Sequence, residues 1–95
     1  MRPLQKTAPA TAPATTEPER DLAYAIATAV HTARTRRGLT QKQLAELTHT
    51  KQPRISRVES ASELPTLRTL LKISEALGVQ LQVTLTELDP GDTSP

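Results

Sequence analysis

The sequence has no cysteine, tryptophan or phenylalanine, a single tyrosine and three glycines in 95 residues. Without cysteine there is no disulfide framework and no thiolate to act as nucleophile or metal ligand. The two histidines, His31 and His49, stand apart and do not make a zinc site of the usual kind; no metal or cofactor is expected. With Tyr24 as the only aromatic, the core must come from Leu, Ile, Val and Ala. No apolar run nears the ~18–20 residues of a membrane span, and the N-terminus lacks the apolar stretch of a secretory signal, so a cytoplasmic address is expected. Nor is there a grouping of nucleophile, base and oxyanion donors: Ser56 has nothing to activate it and His31 falls mid-helix, so an enzyme is not expected.

What is present is charge, unevenly spread. The net charge is only +2. Residues 34–57 nevertheless carry seven basic side chains against Glu46 alone, a net of +6. Residues 59–95 carry six acidic side chains against Arg68 and Lys72, a net of −4. A basic middle followed by an acidic end suits a protein with one face turned to a polyanion.

Read along the chain, residues 1–16 are Ala, Thr and Pro with few bulky apolar side chains. Such a segment buries too little to offset its ordering entropy, and a disordered tail is expected. Residues 17–78 read as one helical domain. A first helix, 17–37, has Leu22, Ile26 and Val30 at helical spacing, Thr16 and Glu19 in capping-box positions and Gly38 as its stop. A second, 41–48, starts from a Thr40–Gln43 capping box and turns Leu44, Ala45 and Leu47 inward. A third, about 51–60, is expected to be capped by Thr50, with Pro53 in its first turn and Ile55 and Val58 inward. A fourth, 67–77, lies between the cap Thr66 and the stop Gly78, with Leu67, Leu70, Leu71, Ile73 and Leu77 apolar. The period then changes. In "VQLQVTLT", residues 79–86, Val79, Leu81, Val83 and Leu85 alternate with polar residues, as in a half-buried strand. Residues 87–95 are expected to be a flexible acidic tail.

The second and third helices are joined by about two residues, the spacing of a helix-turn-helix. Ala45 sits where the two helices cross, and Ile55 and Val58 follow where the third must lock onto the second. His49 stands in that turn; histidine is among the non-glycine residues that tolerate a positive φ, and a pH-sensitive or phosphate-contacting residue is the alternative reading. Through "LTQKQLAELT", "ISRVE" and "PTLRTLLKISEALGV" the sequence resembles the Xre/lambda-repressor-like family over residues 22–86. That resemblance implies a mainly α bundle of four to five helices with one short C-terminal strand. Within the family, "TQKQLA", "KQPRIS", "LPTLRTLLKISEAL" and "LQVTL" are similar to Hip-type antitoxins, small repressors that pair with a kinase toxin. The resemblance also implies an ion pair between Arg34 and Glu59, and a dimer joined through the strand.

A helix-turn-helix sets its second helix in the major groove, N-terminal residues against base edges. Here those are Lys51, Gln52, Pro53 and Arg54, with Ser56 and Arg57 one turn on. Arg and Lys donate to guanine, Gln pairs with adenine, and Pro53 and the Thr50 methyl suit a thymine methyl. Gln52 and Arg54 point in different directions, so one of them can track phosphate instead. Thr40 and Gln41 open the second helix, where unpaired amides and the helix dipole favour phosphate. Arg36, Arg37, Lys42 and Thr50 complete the phosphate set.

The expectation is a DNA-binding repressor on a palindromic site, acting as the antitoxin of a toxin–antitoxin operon. A Hig-type antitoxin, a stand-alone or phage-type regulator, and an interaction module that binds no DNA are the alternatives. The strand predicts a homodimer: alone, Val79, Leu81, Val83 and Leu85 border an open edge, and a two-fold axis pairs that edge with its own copy.

Overall fold

The computed structural model of the chain describes residues 11–88. Strand β1 (Thr11–Pro13) is followed by α1 (Glu17–Arg36), α2 (Gln41–Leu47), α3 (Gln52–Glu59), strand β2 (Glu63–Pro65) and α4 (Leu67–Leu77). The helix starts follow from side-chain caps. Thr16 accepts from the Glu19 amide while the Glu19 carboxylate accepts from the Thr16 amide, and Thr40 and Gln43 repeat the exchange on α2. Thr66 caps α4 by accepting from Thr69. At α3 the cap is Lys51, with no side-chain bond. The expected cap, Thr50, instead donates its hydroxyl to the Thr48 carbonyl at 3.1 Å and closes the turn before the helix begins.

All four helices end alike. Gly38, His49, Ala61 and Gly78 have φ of 71°, 55°, 62° and 69°. After each, the next amide reaches back to the carbonyl five residues earlier: Leu39 to Arg34, Thr50 to Ala45, Ser62 to Arg57 and Val79 to Ser74. This is the Schellman stop, which satisfies carbonyls a helix end would otherwise leave free. His49 behaves as expected; nothing in the sequence marked Ala61, whose methyl must tolerate a conformation suited to glycine.

The core is Val30, Leu44, Ala45, Ile55, Val58, Ile73 and Leu77, one contiguous cluster drawn from all four helices. Leu44, Ile55, Ile73, Leu77 and Val58 are its largest fully buried side chains, each worth about 1.5–3 kcal/mol against exposure. The inward set expected from periodicity is too wide. Leu47 is 55% exposed, and Leu22, Leu67 and Leu71 are exposed to a similar degree. Helices of 7 and 11 residues bury only two side chains on α2 and three on α4, and the rest of their apolar residues fall on the flanks of the stripe.

Two expectations concern the chain's ends. Of the tail at 1–16, residues 1–10 lie outside the described residues, but Thr11–Pro13 form a strand antiparallel to Glu63–Pro65, in register Thr11↔Pro65, Ala12↔Leu64 and Pro13↔Glu63. The ladder stays short because Pro13 and Pro65 have no amide to donate. At the other end, the alternating segment is not a strand within one chain: residues 79–88 carry no regular secondary structure. A ladder needs a partner, and the one sheet among the described residues is β1 with β2. Leu85 is 95% exposed and Leu88 86%. The rest of the expected acidic tail, 89–95, lies outside the described residues.

Candidate nucleic-acid interface

The interface is built on α2 and α3, with Ala45 buried to 3% where the pair cross. Burying Ile55 and Val58 fixes the rotation of α3, so the residues between them and before them point away from the core. Lys51, Gln52 and Pro53 are exposed at its N-terminal end; Arg54 and Ser56 are partly covered.

Behind these residues lies a hydrogen-bonded hub centred on Glu59, at the far end of α3. Its side chain is 4% exposed and that of Arg34 11%. Arg34 Nε donates to Glu59 Oε2 at 2.6 Å and Nη2 to Oε1 at 3.0 Å, while Nη1 donates to the Leu39 carbonyl at 2.6 Å. The expected ion pair is thus present, and it fastens α1, the Gly38 turn and α3 together. Gln41 Nε2 donates to Glu59 Oε1 at 3.1 Å, and His31 Nδ1 lies 3.2 Å from the same oxygen. Burial alone would raise the Glu59 carboxyl; the hydrogen bonds from Arg34, then Gln41 and His31, and the Arg34 charge outweigh it and hold the carboxyl below its ordinary range. Bonding to that carboxylate raises the Arg34 guanidinium further above its own.

From the hub a second link runs forward. Gln52 Nε2 donates to Gln41 Oε1 at 3.3 Å. Gln41 is therefore held at both ends of its amide, and Gln52 is aimed across the front of α2. Among the described residues one N–H and the carbonyl oxygen of Gln52 have no partner, the donor–acceptor pair that an adenine edge takes in the major groove. Periodicity did not reveal this link. The signal that could have found His31 is its place three residues before Arg34 on one helix, where side chains are neighbours.

The other expected residues divide. Thr40 and Lys42 are exposed at the start of α2 and Gln41 stands there partly buried, while Arg36 is exposed on the face of α1 that carries Thr28, Ala29 and Thr32. Arg37 lies elsewhere: its guanidinium covers Gly78, so closely that a Cβ added there would be 1.9 Å from Nη2. Its charge sits at the C-terminus of α4, where the helix dipole favours a cation, and not with the α2 group. Arg57 is bonded through Nε to the Glu63 carboxylate of β2, which holds it at the back end of α3 and away from the residues that open the helix. Among the described residues no three His, Asp or Glu side chains are grouped to hold a metal, and no helix is long and apolar enough to cross a membrane.

Comparison with known proteins agrees with this geometry. Residues 30–83, more than half of the chain, match the Helix-turn-helix family HTH_3. An uncharacterised HTH-type transcriptional regulator of Haemophilus influenzae is 40% identical over 65 residues, which span 68% of this chain and 66% of that protein. Among solved structures, an HTH_3 family transcriptional regulator from Vibrio cholerae is similar with TM-score 0.63 and 27% identity, over 65% of this chain and 35% of that one. The HipA–HipB–O2–O3 complex contains a chain similar with TM-score 0.58 and 31% identity, over 68% of this chain and 92% of that one. A toxin–antitoxin module from Streptococcus pneumoniae contains another, with TM-score 0.59 and 34% identity over 77% and 84%.

Proposed function

We propose that the chain, which belongs to the Helix-turn-helix family HTH_3, is a sequence-specific DNA-binding transcriptional repressor rather than an enzyme, and the antitoxin of a toxin–antitoxin operon. The observation that carries the DNA reading is the Glu59–Gln41–Gln52 chain of hydrogen bonds. It spends a buried carboxylate on fixing two exposed-end glutamines at the mouth of the helix-turn-helix. Lys51, Gln52 and Pro53 read base edges, with Ser56 behind them. Thr40, Gln41 and Lys42 hold phosphate at the start of α2, with Arg36 exposed at the end of α1 and Thr50 in the turn before α3 as further contacts. Arg54 faces the start of α4, and Arg37 and Arg57 serve the fold.

The antitoxin reading is supported by the similarity to chains of the HipA–HipB–O2–O3 complex and of the pneumococcal toxin–antitoxin module, and by the residue strings of the Hip type; a kinase toxin is the partner that likeness implies. The homodimer is supported by the apolar side chains left in the open after α4: Val79, Val83 and Leu85 are half to fully exposed. A shallow apolar groove between α1 and α4, lined by Ile26, Ala29, Leu70, Leu77 and Leu81, runs beside them. Pairing of residues 79–86 with their copy covers both, and sets two α3 helices about 34 Å apart for a palindromic site.

Binding selection on random-sequence duplexes tests the DNA reading: a two-fold symmetric motif is expected, and no enrichment of any sequence refutes it. Co-expression with the product of the neighbouring reading frame tests the antitoxin: growth arrest by that product alone, relieved by this chain in a stable complex, is expected.

A further inference from the structure

His31 stands at the edge of the Glu59 hub, between a donor and an acceptor. Its Nδ1 lies 3.2 Å from Glu59 Oε1 and 3.3 Å from Arg34 Nη2. Arg34 Nη2 itself donates to Glu59 Oε1 at 3.0 Å. The three atoms make a nearly equilateral triangle, so the proton on Nδ1 decides which corner the ring bonds. A neutral ring with its proton on Nε2 offers Nδ1 as an acceptor, and Arg34 is the neighbour that can donate to it. A charged ring carries a proton on both nitrogens. Its Nδ1 then opposes the Arg34 N–H and can only donate, and Glu59 Oε1 is the acceptor in reach. The His31 bond that helps to hold the Glu59 carboxyl low is of this second kind, because a histidine is charged in the acidic range where a carboxyl titrates.

The charged groups that face the ring are Arg34 on its own helix and Glu59 of α3. From α2 the neutral Gln41 reaches the same oxygen. Tyr24 and Ser60 line the groove beside the ring, and Glu63 of β2 is engaged by Arg57. The His31 side chain is 59% exposed and that of Glu59 4%, so the ring exchanges protons with solvent while the carboxylate depends on its bonded partners.

Protonating His31 overfills Glu59 Oε1. A carboxylate oxygen has about two lone-pair sites, and Arg34 and Gln41 already take them at 3.0 and 3.1 Å. The other oxygen is held by Arg34 Nε. Two of the three donors on Oε1 are then cationic, and charge-assisted bonds are about twice as strong as neutral ones. The neutral amide of Gln41 is therefore the donor that gives way. Gln41 is also the partner that fixes Gln52.

We propose that His31 is a proton-operated switch on base readout: the neutral ring leaves Gln41 on Glu59 and Gln52 fixed, and the charged ring displaces Gln41 and lets Gln52 turn. The inference rests on the DNA-binding reading above and adds regulation to the same site. His31 acts through Gln41 and is a positioning residue. Histidine changes charge between about pH 5 and 8. Glu59 stays ionised through that window, since its carboxyl is held below its ordinary range.

The test compares the duplex found by selection with the same duplex changed at the base pair whose preference Gln52→Ala removes. The ratio of the two Kd values is measured for full-length protein at pH 8 and pH 5.5 and constant salt. Loss of one neutral hydrogen bond corresponds to about 2- to 12-fold, and the exposure of the ring places the expected fall in the ratio on acidification at about 2- to 3-fold. His31→Gln and Gln41→Ala should each give a ratio independent of pH. His49, the other histidine, stands by Lys51 and Arg54; charging it would strengthen phosphate attraction to both duplexes alike and leave the ratio unmoved. An unchanged wild-type ratio, or the same fall in His31→Gln, overturns the switch and leaves the DNA reading standing. A second measurement needs no DNA. The side-chain amide NMR signals of Gln41 should move between pH 8 and pH 5.5 in wild type and stay in place in His31→Gln, an unchanged thermal midpoint showing that the fold is intact. Wild-type signals that do not move, or that move equally in His31→Gln, overturn the switch. A selection that enriches no motif overturns the DNA reading, and the switch on readout with it.

Discussion

Replacing Arg34 by alanine should destabilise the fold by about 3 kcal/mol at pH 7. Breaking one side of a buried pair leaves the other charge uncompensated, typically a loss of about 3–5 kcal/mol. Exposures of 11% for Arg34 and 4% for Glu59 leave little room for water to soften that loss. The bonds from Gln41 and His31 survive the substitution, which places the expected value at the lower end. Against a total stability of about 4–12 kcal/mol for a domain of this size, it is a large fraction. The pH dependence follows from the Glu59 carboxyl. Its pKa is depressed below 4.5 in the fold, so its contribution is complete above the unfolded value and is lost as the pH falls through 4.5 towards the lower folded one. In Arg34→Ala the buried carboxyl, without its cation, takes up a proton more readily, so the gap to wild type should narrow on acidification. Urea denaturation at pH 7 and pH 4 measures both effects. The variant Arg34→Met/Glu59→Leu removes both charges and should recover to within about 1–2 kcal/mol of wild type, the remainder reflecting the lost bond to the Leu39 carbonyl. A single-variant loss below about 1 kcal/mol, the scale of an exposed pair, would refute the reasoning. So would a double variant no better than the single.

Gln52→Ala should change sequence preference by about 1–3 kcal/mol at one base position and leave binding to random duplexes near wild type; Gln41→Ala should weaken all sequences and also blur preference at that same position, because it releases Gln52. Selection on duplex libraries reads both, and a Gln41→Ala protein with unaltered preference would show that the link between the two glutamines is idle in the complex. Ala61→Gly should raise the urea midpoint by the equivalent of about 0.5–1 kcal/mol, since the left-handed backbone at φ 62° suits glycine; a lower midpoint would contradict the account of the α3 stop. Val83→Pro should turn a homodimer into monomers in sedimentation velocity, by removing an amide from the ladder, and a wild type that is monomeric and folded at micromolar concentration would remove the dimer from the proposal.

Helix ends were legible in the sequence because they depend on neighbours three to five residues away. The Thr16–Glu19 and Thr40–Gln43 boxes, and the stops at Gly38, His49 and Gly78, are all of that kind, and the structure forms them. Core positions were legible where two criteria agreed. Ile55 and Val58 are required both by the stripe on α3 and by the crossing with α2, and both are fully buried. Leu47 satisfied the stripe alone and came out exposed. Ala61 gave no warning: its conformation is imposed by where α3 must stop, and alanine carries no signature for it.

The candidate site was legible as a list of side chains and not as a set of partners. Arg54, Arg57 and Arg37 are equivalent in composition, and all three read as DNA contacts. The fold gives them three surroundings: a basic depression for Arg54, the Glu63 carboxylate for Arg57 and the end of α4 for Arg37. What decides between them is the long-range neighbour, which periodicity does not encode. The same holds for residues 79–86. Alternation marks a segment with one apolar side, but a strand is a relation between two segments, and among the described residues the sheet holds only β1 and β2. A segment with a strand's pattern and no ladder among the described residues is the one the proposed dimer would pair: beyond Val79 its amides have no partner among the described residues, and with the exposed Val83 and Leu85 they are the surface that a second chain would have to cover.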